Sequence, residues 1–364
     1  MNEAEQTLNL PLLVEVMRGA IVESKHCGAI VALTPDGQIV AQLGDANLIT
    51  STRSTIKAIQ AIPFVASGAA NHFDITEREL AVACASHGGE PMHTETVAAM
   101  LARIGLTESH LQCGAHLPYN EDAARRLQSE GKPFTQLHNN CSGKHTGMLA
   151  TCLHNGWPIE NYIAKNHPLQ QKIISIFRQL GELPEELPIA IDGCSAPTFG
   201  VSLTSLALAF ARLARFTTTD LTSERVGSDS QFQPSMFDSN TIKAIQRITK
   251  AMIAYPEMVG GTGRLDTDLM RVAQGSLFCK IGAEATYVIG VLPCDKFPEG
   301  LGIALKIQDG ATRALATVVI ETLAQLGVLD KGQQAELASY HKPVLHNYRN
   351  LRIGEILPVF NLSL

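Results

Sequence analysis

The stretch Gly28-Ala-Ile-Val-Ala-Leu-Thr34, then Pro35-Asp36-Gly37, then Gln38-Ile-Val-Ala-Gln-Leu-Gly44 decides the fold class. Two apolar, β-branched runs flank a turn in which Pro35 presets φ and Gly37 can take φ > 0, the signature of a β-hairpin. Outward toward the N-terminus, residues 11–18 read as a further strand. Toward the C-terminus, 285–292 and 302–307 read as strands, 311–326 as a helix and 355–360 as a last strand. Between these ends the reading is mostly helical. Thr76 with Glu79 forms a capping box leading into 80–85. Residues 94–104, 121–130, 144–153, 168–180 and 241–253 suit helices. The prediction is an α/β chain of the α+β type with one antiparallel sheet built from both chain ends. It forms a single domain over 1–364, its sheet part about 1–53 and 264–364 and its largely helical insertion about 54–263.

Composition narrows the function classes. The 364 residues are 45% hydrophobic and 18% charged, enough apolar surface for a sizeable core and too much for disorder. Net charge is −6 with no Lys/Arg run, which excludes a phosphate-tracking surface and so a nucleic-acid partner. The longest apolar stretch, 201–213, is short and bounded by Arg212 and Arg215, so no membrane span is expected. The opening Met-Asn-Glu-Ala-Glu-Gln has neither a basic nor an apolar region of the signal-peptide kind. A cytoplasmic protein with its eight cysteines mostly reduced is the expectation. Residues 217–233, rich in Thr, Ser and Asp, read as a long surface loop.

Five stretches carry candidate chemistry. In Arg53-Ser54-Thr55-Ile56-Lys57, Ser54 and Lys57 stand three apart at a helix start and share a face. A neutral lysine can take the serine proton, and a helix N-terminus favours the developing oxyanion; chance pairs at this spacing are also common. Lys280-Ile-Gly282 precedes a β-like run, and a strand K-x-G far downstream of S-x-x-K is the order used by penicillin-recognising serine enzymes. A solvated edge-strand lysine is the plain alternative. Ser86-His87-Gly88-Gly89 offers a second hydroxyl and paired glycines whose N–H groups suit an oxyanion hole, or else an ordinary glycine C-cap. Cys141 and Cys194 stand in polar loops beside Lys144, His145 and Asp192, a set able to complete a metal tetrahedron, or else two unrelated loop cysteines. The lysine loop 143–146 is not a P-loop, since no glycine occupies position 138. Arg53, and Arg264 after the Gly-rich turn 260–263, are candidates to hold a substrate carboxylate.

Together these motifs resemble the Rhizobium-type (class 3, thermolabile) L-asparaginases, the L-asparaginase II family. The resemblance rests on S-T-x-K, A-S-H-x-G-E-x-x-H, N-C-S-G-K-H, D-G-C-x-x-P, G-T-G-R-x-D-T and K-x-G-A-E, and spans nearly the whole chain. It implies a fold similar to serine β-lactamases and bacterial glutaminases. It implies two Ser-Lys tandems, Ser54 with Lys57 and Ser86 with Lys280, and a zinc site on Cys141, Lys144 and Cys194 with Asp192 beside it. It implies L-asparagine as substrate and a homodimer. On this reading Arg53, His87, Gly88, Asp192 and Arg264 contact the substrate, and Ser54 is the nucleophile by its place at a helix start. Other readings remain at this stage: another Ser-Lys amidase, such as a glutaminase or a penicillin-interacting enzyme, or a zinc or thiol sensor without catalysis.

Overall fold

At the decisive hairpin, Gly37 takes φ +89° and its N–H donates to Thr34 O at 2.9 Å, while Thr34 N donates to Gln38 O at 3.0 Å. The computed structural model describes residues 10–219 and 237–363. Most of the expected loop at 217–233, and the N-terminal residues read for a leader, lie outside them.

The strand entering the hairpin is longer than its motif. β1 (Leu12–Arg18) is followed by β2 (Ile21–Leu33), whose first half pairs with β1 and whose second half pairs with β3 (Ile39–Leu43). On its other edge β2 pairs with β9 (Leu301–Ile307), with Gly28 opposite Ile307 and Leu33 opposite Gly302. Before β9 in the chain come β4 (Ile49–Ser51), β5 (Ile189–Ile191), β6 (Pro197–Ser202), β7 (Leu277–Ile281) and β8 (Thr286–Val291). After it come β10 (Val344–His346) and β11 (Arg352–Pro358). The main sheet runs β10-β11-β1-β2-β9-β8-β7 with β3 on β2, and every pairing is antiparallel. The sheet is therefore built from both chain ends, as the terminal strand patterns predict.

Helices pack on this sheet because its central strands are apolar on both faces. β8 is buried at every residue. The helix Leu203–Thr217 approaches so closely that a Cβ on Gly302 would stand 1.9 Å from Ala207 O, so glycine is required there. The apolar stretch read at 201–213 is thus a core helix, and no helix among the described residues is long and apolar enough to cross a membrane. The predicted helices form as Pro91–Arg103, Glu121–Ser129, Ser142–Asn155, Pro168–Gly181, Ser239–Ala254 and Thr312–Gln325. The Thr76–Glu79 capping box is present in both directions at the start of Glu77–Ala83.

The structure differs from the sequence expectation in two places that matter to the site. β4, β6 and β5 form a small second sheet within the otherwise helical region, from strands of three to six residues that carry too little periodicity to read. The apolar run after Ser54 is not one helix. It opens as a 3-10 turn, Arg53–Ile56, then forms Lys57–Gln60 and Ile62–Ala66, with Pro63 in the first turn of the latter, where its missing N–H is tolerated.

Candidate active site

Ser54 is held by the small sheet. Thr198 on β6 gathers the preceding residues: its Oγ1 lies 2.9 Å from Ser51 Oγ and 3.2 Å from Thr52 Oγ1, and accepts from Arg53 N at 2.9 Å. Arg53 takes φ +44°, a left-handed conformation that a non-glycine residue keeps only when its surroundings over-determine it. The Arg53 side chain supplies a further constraint, its Nε donating to Asp192 Oδ1 at 2.5 Å.

Lys57 follows one turn later and is fully buried. Its Nζ donates to Ala85 O, to Ser86 Oγ at 2.9 Å and to Asn140 O at 3.4 Å. Among the described residues its hydroxyl partner is thus Ser86, whereas the sequence pattern pairs it with Ser54. Ser86 is itself fixed by Ser86 N donating to Val259 O at 3.0 Å, just before the Gly-rich turn. Glu90 ties that turn down, accepting from Thr262 N at 2.9 Å and Thr262 Oγ1 at 2.7 Å.

Lys280, on edge strand β7, is not a solvated lysine: it is fully buried. Its Nζ donates to Ile281 O at 3.0 Å and to Asp266 Oδ2 at 3.3 Å, and no hydrogen bond joins it to Ser86 among the described residues. Burial brings Lys280 down to about 8; Asp266 opposes that shift while Lys57 and Arg264 add to it. Gly282 then passes so near Thr55 that a Cβ would meet Thr55 Cγ2 at 2.8 Å. The K-x-G pattern therefore lets β7 lie against the turn that carries Ser54.

A pocket of about 400 Å³ opens over these elements. Ser54 and Ser86 both line it, with Arg53 and Asp192 on one side and Ile281 to Ala283 on another. Arg264 also lines it, 5.9 Å from the centroid of Tyr119, whose ring stacks on His116 at 4.7 Å. Arg264 has no ion pair with any described carboxylate. Lys57, bonded to Ser86, and Lys280 are both buried and do not line it.

His87 and Gly88, expected to contact substrate, are placed elsewhere. Neither lines the pocket. His87 is fully buried, bonded through Nε2 to Ser142 Oγ at 2.9 Å and stacked on His93 at 4.9 Å. Burial, and next the neighbouring His93, hold its imidazole well below its usual range, hence neutral. Gly89 N donates to His87 Nδ1 at 3.2 Å, so it is committed inside the protein instead of facing an oxyanion. The physical reason is the tight turn between Glu77–Ala83 and Pro91–Arg103, which points the glycines at Asn120 and Pro118.

The two loop cysteines do meet. Cys141 caps the helix Ser142–Asn155, and Cys194 follows the turn Asp192-Gly193; both are buried, and both line the pocket. The two thiols are coupled, and their mutual contact pushes the Cys141 thiol up and Cys194 down. Lys144 Nζ donates to Cys194 Sγ at 3.0 Å; against the opposing effect of burial, the two sulfurs raise its pKa. His145 Nδ1 bonds Tyr162 OH at 2.7 Å, while its buried Nε2 has no partner. Among the described residues no group of three His, Cys, Asp or Glu side chains is placed to hold a metal. The set that is present, two sulfurs and one lysine nitrogen, has the donor types of a soft divalent ion, which on binding would displace the thiol proton and one proton of the Lys144 ammonium.

Sequence reasoning gave no role to Asp266, Thr198, Tyr119 or His116. Asp266 had a signal only in lying within the G-T-G-R-x-D-T stretch. The other three are brought in by tertiary packing and carry none.

The L-asparaginase II family model matches residues 14–358, nearly the whole chain, and the chain belongs to that family. No curated protein matches it. Similar solved structures include a probable glutaminase from Bacillus subtilis complexed with 6-diazo-5-oxo-L-norleucine, at 13% identity over 83% of this chain and 84% of that one, TM-score 0.38. Another is a Bacillus subtilis glutaminase in covalent complex with 5-oxo-L-norleucine, at 14% identity over 84% and 89%, TM-score 0.35.

Proposed function

With membership of the L-asparaginase II family as the premise, we propose that this amidohydrolase converts L-asparagine to L-aspartate and ammonia through a serine acyl-enzyme. The observation that carries the reading is the pocket itself: two serines face one cavity, and the fully buried Lys57 is bonded to the hydroxyl of one of them.

Ser54 Oγ attacks the side-chain amide carbon. Its proton passes through Ser86 to Lys57 in its neutral amine form, and the ammonium so formed returns that proton to the leaving nitrogen as ammonia departs. The tetrahedral oxyanion sits at the backbone N–H of Ser54, at the head of its turn. Water hydrolyses the ester, with a lysine taking its proton. Lys280, neutral above about 8, serves that role in alkaline solution. Arg264 receives the substrate α-carboxylate, because Arg53 is already engaged by Asp192. Asp192, at the pocket wall, receives the α-ammonium.

Cys141, Cys194 and Lys144 would hold zinc. When bound there, the ion supplies a fixed positive charge beside Asp192 that orients the amino-acid end of the substrate. The same reading takes the protein as a cytoplasmic homodimer without a nucleic-acid partner, in keeping with its net charge of −6.

The test is ammonia release from L-asparagine by the purified protein, beside Ser54→Ala and Ser86→Ala, with L-glutamine as comparison. Activity on L-asparagine that either alanine abolishes supports the reading. Activity on L-glutamine alone makes the protein a glutaminase. No activity on either amide, with zinc supplied and the fold intact, overturns it in favour of a metal or thiol sensor.

A further inference from the structure

A carboxylate with no access to solvent stands directly behind the pocket wall. Asp266 is 1% exposed and occupies the first turn of the helix Leu265–Val272. An ionised carboxylate is rarely buried unless it is paired and hydrogen-bonded. Here Oδ2 takes the whole load: it accepts from Lys280 Nζ at 3.3 Å and from Ile281 N at 3.1 Å, while Oδ1 has no partner. One oxygen thus grips both the lysine head and the strand end that turns into the pocket-lining residues Ile281 to Ala283.

We propose that Asp266 is a positioning residue of this site, fixing the Lys280 amine and the β7 wall in one arrangement relative to the two serines. The inference deepens the proposed amidohydrolase reading and rests on it.

The frame around Asp266 is stiff. Thr267 Oγ1 donates to Pro256 O at 3.0 Å, and a Cβ on Gly260 would meet Thr267 Oγ1 at 2.7 Å, so turn and helix start are locked together. Lys280 commits two of its three ammonium hydrogens, to Asp266 and to Ile281 O. The charged and titratable groups facing it are Asp266 on its helix, Lys57 bonded to Ser86, Arg264 at the pocket, and the Cys84 and Cys279 thiols. Tyr287 closes the far side, its OH donating to Cys279 Sγ at 3.1 Å. Among the described groups in that ring Asp266 is the one carboxylate, and its charge opposes the loss of the lysine proton.

The experiment is NMR of the protein carrying 13C at lysine Cε, with the Lys280 signal identified by its loss in Lys280→Met. In the wild type a pinned ammonium gives inequivalent ε-methylene protons; one averaged signal overturns the proposal. In Asp266→Asn the acidity constant of Lys280 rises roughly tenfold or more. An unchanged titration in a folded Asp266→Asn protein also overturns it. Neither readout uses substrate, so the result stands whether or not L-asparagine is hydrolysed. Where hydrolysis is present, kcat in Asp266→Asn falls about 10- to 100-fold with KM little changed, as misplacement of a reacting group does, and Asp266→Glu recovers part of the loss. If Asp266→Asn does not fold, the wild-type methylene signals decide the matter.

Discussion

Lys57 Nζ donates to Ser86 Oγ at 2.9 Å, reaching a hydroxyl 29 residues away in sequence. The serine one turn before it, Ser54, shares the pocket with Ser86 instead of taking the lysine hydrogen bond. The proposed mechanism therefore joins groups from separate segments, and each of its parts makes a separate prediction.

Replacing Lys57 by Met keeps the volume and removes the amine. Amidase activity falls about 100- to 10,000-fold, the usual worth of a general acid–base group. Loss of the donor also strands Ala85 O and Asn140 O, costing about 1–3 kcal/mol for each carbonyl left unpaired. Ammonia release and a thermal melt measure the two effects. Activity within tenfold of wild type, by the same scale, removes Lys57 from the mechanism.

Arg264→Ala raises KM for L-asparagine by about 10- to 100-fold, since a charge-assisted hydrogen bond is worth about 1.5–3 kcal/mol. The effect on kcat is small. Steady-state kinetics over a range of L-asparagine concentrations separates the two constants, and a loss confined to kcat contradicts carboxylate binding there.

Activity rises as pH increases through about 8, where Lys280 gives up its proton. The stability linkage has a definite sign. The folded lysine lies below its ordinary value of 10.5, so between about 8 and 10.5 the unfolded chain binds more protons than the folded one. Stability on this account declines as pH falls through that window and levels off below it. Denaturant melts at several pH values, compared with Lys280→Met, isolate the contribution; a variant with the same alkaline slope as wild type refutes it.

Zinc analysis of the purified chain by elemental mass spectrometry gives about one ion per chain, the stoichiometry of a single closed or open site. Cys194→Ser loses it, and a chelator lowers the melting temperature of the wild type but not of the variant. A wild-type protein purified with zinc supplied and holding none rules out the Cys141, Lys144 and Cys194 site.

Gly302→Ala places a methyl 1.9 Å from Ala207 O, backbone that cannot swing away. The sheet and the helix Leu203–Thr217 must separate, at a cost of about 1–3 kcal/mol or more. A chemical melt of the variant checks it, and a neutral result contradicts the helix-on-sheet packing.

The sequence by itself determined the sheet from both chain ends, the helices between, and several of the residues that line the pocket. These are local matters: the turn at Pro35–Gly37, the capping box at Thr76, and the clustering of Ser, Lys, Cys and Gly in short polar stretches all act through residues a few positions apart. Tertiary structure alone decided the partnerships. Spacing joins Ser54 to Lys57, but the 3-10 turn and the left-handed Arg53 leave Lys57 bonded to Ser86. The glycines after His87 suit an oxyanion in sequence, yet their turn buries them against Asn120 and Pro118. Asp266 meets Lys280 only because the helix start packs behind β7. Which buried donor finds which acceptor depends on long-range packing and on the cost of leaving either unpaired, and no periodicity along the chain records it.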